Sequence, residues 1–344
     1  MTLKTPLTMM GAPGSPYSRK MRAVLRYRRI PYRFIQQHSK EATKLPPARV
    51  PLLPTFFLPN DAGEIVAVTD STPLIRRFER AFPGREVVPH DPALAFVDEL
   101  IEDFADEWLT KCMFHYRWYH EADAEKARRV LPHWSRIDVD DEEIAPIQEK
   151  IGERQIGRLG VVGSNDVTAP VIEESYRRFV RVFDAHLQKS RFLFGQRPAS
   201  ADFAVFGQLT CLAIFDPTPA AVTIEESARI YAWTEAAEDL SGLEVDADDW
   251  LAADALPDTL RVILGEVGRY HAPFLIANAD ALERGAERVE AEIAGRPWVQ
   301  QPFPYQRKCL TWLRESYAGL APDARKTVDA LLADTGCEIL FGDA

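Results

Sequence analysis

Apolar residues follow two rhythms along this chain. Up to about residue 82, short apolar runs alternate with amphipathic stretches; beyond residue 92 the apolar positions fall mostly at helical spacing. Leu7 to Met10 reads as a buried strand. Pro16 to Arg29 reads as a helix with Met21, Val24, Leu25 and Tyr27 on one face, ended by Pro31. Tyr32 to Gln36 returns as a strand, and His38 to Lys44 forms a helical turn. Thr55 to Leu58 and Glu64 to Val68 flank Pro59-Asn60-Asp61-Ala62-Gly63, whose turn chemistry predicts a hairpin. Thr69 to Pro73 then opens a helix that continues through Leu74, Ile75 and Phe78. The order β-α-β, then β-β-α, predicts a small α/β layer around a mixed sheet.

Pro83 to Pro92 is punctuated by Pro and Gly and reads as a linker. The spacing then predicts a long helix over 93–119 and further helices over 124–131, 142–158, 170–189, 201–215, 223–239 and 258–284. Glu287 to Ile293 and Pro297 to Gln301, around Ala294-Gly295, predict a late hairpin, and two last helices fit 304–318 and 322–334. The resulting division is 1–84, a linker over 85–92, an all-helical region over 93–256, and an extension over 257–344 packed on that region.

Composition narrows the classes of function. The 344 residues carry 46% hydrophobic and 27% charged side chains, ordinary values for a folded chain with a core. A net charge of −11 argues against nucleic acid as the main partner, because phosphate contacts need cations. Cys112, Cys211, Cys309 and Cys337 are widely spaced with no C-x-x-C pair, which fits a reducing compartment. Pro6, Thr8, Gly11 and Pro13 interrupt any signal-like core, and no apolar stretch approaches membrane-span length. The expectation is a cytoplasmic protein with no membrane partner.

Gly14 to Arg22 is the stretch richest in candidate chemistry. It joins a strand to a helix whose first turn holds Ser15 as a cap and Pro16 at the first helical position. The free amides of such a turn favour an anion or thiolate beside them. Ser15, Tyr17 and Ser18 all carry hydroxyls here; Tyr17 reads as core packing, and Ser18 as completing the cap. His115 and His120 are five apart, the wrong spacing for two ligands on one helical face, so no metal is expected. The G-x-S-x-G elbow of a serine hydrolase is missing.

Taken together these segments resemble the glutathione transferase family. Ser15-Pro16-Tyr17-Ser18 is similar to the Ser-Pro-Phe-x start of the first helix in serine-type members, and Leu53-Pro54-Thr55-Phe56 resembles the cis-proline segment before the third strand. Asp70-Ser71-Thr72-Pro73-Leu74-Ile75 resembles the acidic-Ser-x-x-Ile-Ile segment that grips the γ-glutamyl end of glutathione, and Phe194-Gly195 through Asp202-Phe203 resembles the folding motif of the helical domain. The folding motif departs from the pattern, since Ala199 stands where Ser or Thr is usual and Ser200 comes one place late.

The resemblance covers roughly two thirds of the chain, residues beyond about 260 having no counterpart. It implies a thioredoxin-like α/β domain followed by an all-α helical bundle, a homodimer, and glutathione as co-substrate. Ser15 would donate to the glutathione sulfur, Leu53 before Pro54 would pair its backbone with the cysteinyl part, Asp70 would bind the γ-glutamyl ammonium and Ser71 its carboxylate. Lys44 or Arg49 would meet the glycyl carboxylate, and a small hydrophobic electrophile would sit between the domains, where some aromatic side chains of Trp108 to Tyr119 would line the pocket while most of that stretch reads as core or interface. Two alternatives stay open: a non-catalytic binding or structural protein, and a glutathione-dependent lyase or ether-cleaving enzyme.

Overall fold

The computed structural model of the protein describes residues 3–246 and 249–342. Strand β1 (Leu7–Gly11) alternates buried and half-buried positions and leads through a loop into α1 (Pro16–Tyr27). β2 (Tyr32–Gln36) pairs parallel to β1, Met9 lying opposite Phe34. A 3-10 turn at Ala42–Lys44 precedes β3 (Thr55–Pro59) and β4 (Ile65–Val68), which form an antiparallel hairpin as expected. β3 also runs antiparallel to β1, so the sheet order is β2-β1-β3-β4, and α2 (Ser71–Ala81) follows. This is the thioredoxin-like arrangement.

The register decides what lies next to what. Met10 pairs with Thr55, so the peptide Leu53-Pro54 enters β3 beside the end of β1 from which the Ser15 loop leaves. The Leu53-Pro54 peptide is cis, as is Thr5-Pro6.

The helical part begins with α3 (Pro92–Phe104), a π-turn at Ala105–Leu109, and α4 (Thr110–Tyr119), which together run almost unbroken as the spacing predicts. Then come α5 (Glu121–His133), α6 (Asp141–Ile156), the short α7 (Leu159–Val162) and α8 (Ala169–Leu187). α9 (Ser200–Leu209) ends in a π-turn at Thr210–Phe215 and is followed by α10 (Pro217–Glu226) and α11 (Ala228–Ala237). The single helix expected over 223–239 is therefore two. Ser227 leaves the helix with extended backbone, and its side chain accepts the Ile230 N–H to cap α11.

α12 (Asp258–Glu266), a π-turn at Val267–His271 and α13 (Ala272–Glu283) fill the next expected span. The late hairpin is present as β5 (Val289–Ile293) and β6 (Arg296–Gln300). Its turn residues Ala294 and Gly295 both have positive φ, 53° and 76°, the geometry that two-residue hairpin loops require. α14 (Pro304–Ala318) and α15 (Pro322–Leu332) close the chain, with a 3-10 turn at Cys337–Leu340.

One apolar cluster joins α1 and the sheet, through Met9, Met21, Val24, Phe56 and Phe78, to Phe203 and Phe206 of α9. A second runs from Leu100 and Trp108 through Phe179 to Trp298, Leu310 and Val328, so the late hairpin, α14 and α15 share the helical core. Trp108 anchors it, stacked on Tyr270 with ring centroids 5.6 Å apart and donating its indole N–H to Ser175 Oγ at 3.0 Å. No single helix among the described residues is long and apolar enough to cross a membrane. The bent pair Ser200–Phe215 with Pro217–Glu226 meets the length and composition test, yet α9 within it is wholly buried in the core.

α9 lies directly against α1. A Cβ added at Gly207 would sit 2.6 Å from the Pro16 carbonyl oxygen and 3.1 Å from Lys20 Cβ. Gly207→Ala is therefore expected to lower stability by about 1–3 kcal/mol, the usual range for overpacking, as urea denaturation would read it. A change smaller than a few tenths would mean that the two helices can part freely.

Candidate functional site

Ser15 caps α1: its Oγ accepts the Ser18 N–H at 3.2 Å, which leaves the hydroxyl proton free for another acceptor. Among the described residues the Tyr17 N–H of the same first turn has no partner either. The other two hydroxyls are already in use. Tyr17 Oη donates to the Asp106 carbonyl at 2.6 Å and lies 2.9 Å from Thr110 Oγ1, while Ser18, fully buried, accepts the Ala12 N–H. Burial, then Glu107 and Asp106 nearby, push the Tyr17 phenol well above its ordinary value. Tyr17 stays protonated and serves the π-turn, where a widened hydrogen-bond spacing leaves a carbonyl to be satisfied from outside.

The loop carrying Ser15 is fastened to the helical part. Arg117 Nη1 donates to the Gly14 carbonyl at 2.9 Å, and the same guanidinium holds Asp216 with Nε 3.0 Å and Nη2 2.9 Å from its carboxylate oxygens. Gly14 packs so closely on Leu131 and Trp134 that a Cβ would fall 2.5 and 2.4 Å from them. Trp134 in turn meets Phe215, ring centroids 5.2 Å apart. An apolar wall of Leu131, Trp134 and Phe215 thus stands beside the serine loop. The expected source of such a wall, Trp108 to Tyr119, is mostly core: Trp108, Tyr116 and Trp118 are buried.

At Leu53, neither backbone N–H nor C=O is hydrogen-bonded among the described residues, so one peptide edge is open beside β1. Asp70, at the start of α2, has φ +83°, a conformation rare for a side-chain-bearing residue and one that surrounding structure must enforce. Its Oδ2 accepts Tyr305 Oη, from α14, at 2.9 Å, and burial raises its carboxyl above the ordinary value. Ser71 Oγ accepts Lys20 Nζ at 3.3 Å. Lys44 and Arg49 are exposed and form no ion pair among the described residues.

Behind Ser71 lies a buried charge network that the sequence reading missed. Lys20 Nζ donates to Glu102 Oε1 at 2.7 Å and to Asp106 Oδ2 at 2.5 Å, and is fully buried. Burial opposes its ammonium, but Asp106 and Glu102 outweigh that and lift Lys20 to about 12. Glu102 is held down to about 2 by Lys20 and Arg76 against burial, whereas burial pushes Asp98 and Asp106 up to about 7. A signal was present: Asp98, Glu102 and Asp106 recur every four residues, each followed by a second acid at Glu99, Asp103 and Glu107, so one face of a largely buried helix carries three carboxylates.

The altered folding motif feeds the same network. Asp202 Oδ2 accepts the Ala199 N–H at 2.9 Å, but Ala199 has no side-chain oxygen for a capping box, and its carbonyl accepts the Asp202 N–H instead, at 3.1 Å. Asp98 of α3 steps in, accepting the Ala201 N–H at 2.8 Å, and Ser200 Oγ lies 2.5 Å from Asp98 Oδ2. Raised carboxyls stabilise the fold in their neutral form. The contribution of Asp98 is complete below its unfolded value of 3.8 and is lost as pH rises through about 7. Asp98→Asn, which mimics the neutral acid, is expected to flatten the fall in unfolding free energy across that window. An unchanged pH profile of denaturant midpoints would contradict this.

His115 and His120 also behave differently from their spacing. α4 ends at Tyr119 and His120 has extended backbone, so both imidazoles turn toward Glu173 on α8.

Residues 9–86 match the family described as glutathione S-transferase, N-terminal domain. Over those residues the chain is similar to that domain family, and its sheet and helices have the corresponding fold. No curated protein matches the chain. Among solved structures, a GST-like protein from Pseudomonas syringae is 14% identical, with 68% of this chain and 67% of that one covered and a TM-score of 0.43. A glutathione transferase family member from Pseudomonas fluorescens with two glutathione bound is 14% identical, covering 68% and 92% at a TM-score of 0.42. The Tau class glutathione S-transferase of mango is 15% identical, covering 75% and 95% at 0.40.

Proposed function

We propose that the protein binds glutathione along the edge formed by Ser15, Leu53-Pro54 and Asp70-Ser71, and activates its thiol for attack on an apolar electrophile resting against Leu131, Trp134 and Phe215. The observation that carries this reading is the hydrogen bonding of Ser15, whose hydroxyl accepts an amide and keeps its own proton for a thiolate. The free Tyr17 N–H and the positive end of α1 add to the stabilisation of that anion. The thiol proton leaves to solvent. The sulfur lone pair then forms the bond to carbon: an aryl halide loses halide with its electron pair, and an enone becomes an enolate that takes a proton from solvent.

Leu53 offers N–H and C=O to the cysteinyl peptide, as one further strand residue would. Asp70 Oδ1 has no partner among the described residues and can take the ammonium, while the first-turn amides of α2 can take the α-carboxylate. Residues 257–344 are an extension whose α14 supplies Tyr305 to the rim of this edge. Calorimetric titration with glutathione, followed by conjugation assays with aryl halides and enones, tests the reading. Absence of both binding and turnover at millimolar glutathione would end it.

A second reading is favoured by the Tyr305 hydroxyl on Asp70: the γ-glutamyl position is already engaged from within, and the protein holds partners without turnover. Tyr305→Phe separates the two. Stronger glutathione binding without any conjugation would support the non-catalytic reading.

A further inference from the structure

Three ligand-type atoms from two segments meet away from the serine loop. His115 Nε2 lies 3.3 Å and His120 Nε2 3.1 Å from Glu173 Oε1, and all three atoms fall within 4.8 Å of one another. We propose that His115, His120 and Glu173 form a binding site for a divalent zinc-type ion, with a fourth position open to water.

The dimensions match. Bonds of about 2.0–2.1 Å in a tetrahedron place neighbouring ligand atoms about 3.3 Å apart, so an ion can enter with only small shifts of the side chains. Two imidazoles and one carboxylate are a donor set suited to zinc and other late first-row divalent ions. The rings are fixed in advance. His115 is fully buried, its Nδ1 lies 2.8 Å from Ser164 Oγ, and it stacks on Tyr119 at 4.5 Å. Such a bond at the distal nitrogen sets the tautomer and aims Nε2 at the ion. His120 stacks on Tyr116 at 5.4 Å, with the planes 19° apart.

Access and charge also agree. The side chains of His120 and Glu173 are 29% and 38% exposed, so an ion has an approach from solvent, and Glu173 Oε2 has no partner among the described residues. Without an ion, two imidazoles converge on a single carboxylate oxygen while its twin is idle. The site is separate from the serine loop: Arg117, which holds Gly14, is two residues beyond His115 and so roughly 200° round α4.

The test uses the full-length protein freed of metal with a chelator and titrated with Zn²⁺ by calorimetry and with Co²⁺ by visible absorption. One ion per chain, with micromolar or tighter affinity and intense Co²⁺ bands of a four-coordinate site, is expected. His120→Ala and Glu173→Gln should each weaken binding at least 100-fold, while His38→Ala, on the segment after β2, binds as wild type does. Circular dichroism of each variant confirms that it is folded, and Glu173→Gln keeps an acceptor for the two imidazoles. Zinc bound equally well by wild type and both ligand variants, or Co²⁺ showing only weak six-coordinate bands, would overturn the proposal and leave a hydrogen-bonded cluster.

Discussion

Replacing Lys20 by methionine should lower the free energy of unfolding by about 3–5 kcal/mol, the usual consequence of removing one partner from a buried ion pair. Lys20 provides its three donors to Ser71, Glu102 and Asp106, all within 3.3 Å. Methionine fills a similar volume, so the loss reports charge and hydrogen bonding rather than a cavity. Of its cations Glu102 would keep only Arg76, 3.4 Å away and a quarter exposed, beside the Thr72 and Ser200 hydroxyls, while Asp106 would keep none of its present cation contacts. Denaturant unfolding monitored by tryptophan fluorescence measures the change. A loss below about 1 kcal/mol would show that water reaches the cluster and solvates the stranded carboxylates.

The second large effect is expected at Ser15. Ser15→Ala removes a single donor to the proposed thiolate, and hydrogen bonds to charged groups contribute about 1.5–3 kcal/mol, so the rate of conjugation should fall about ten- to a hundredfold. Glutathione affinity should change much less, because the contacts proposed for Leu53, Asp70 and Ser71 lie on parts of the peptide remote from sulfur. The ultraviolet absorbance of bound thiolate, titrated against pH, gives a readout independent of turnover. The thiol pKa should rise in the variant. If it does not, the Tyr17 amide and the helix end hold the sulfur and Ser15 is only a cap. Alanine would still leave α1 with Pro16 at its first position, so the expected stability loss is about 1 kcal/mol.

Local chemistry made the N-terminal domain readable. Pro31, the Asn60–Gly63 turn and the Ser15-Pro16 cap each restrict the backbone within a few residues, and the elements between them came out where the periodicity placed them. The late hairpin was readable for the same reason, because Ala294-Gly295 permits the tight turn. What escaped were contacts between residues far apart in the chain. Lys20 is one of four cations on an amphipathic helix, and its partners lie 82 and 86 positions away. The break at Ser227 escaped because Glu226 and Ala228 are both good helix formers, and only the capping bond to Ile230 reveals a new start. The convergence of His115 and His120 depends on the chain leaving the helix at residue 120, which no spacing rule anticipates.

The bond from Tyr305 to Asp70 spans 235 positions, and that interval is also a time. During synthesis at about 5–20 residues per second, Asp70 leaves the ribosome roughly 12–47 s before the tyrosine that will meet it. Throughout that interval the N-terminal domain can form its sheet and α2, but Asp70 must hold its unusual backbone angle without the hydroxyl. The proposed glutathione edge is therefore complete before α14 has been made. On that proposal, nascent chains stalled before residue 305 leave the Asp70 carboxylate uncontested, and are the population in which glutathione binding can be measured before the extension docks.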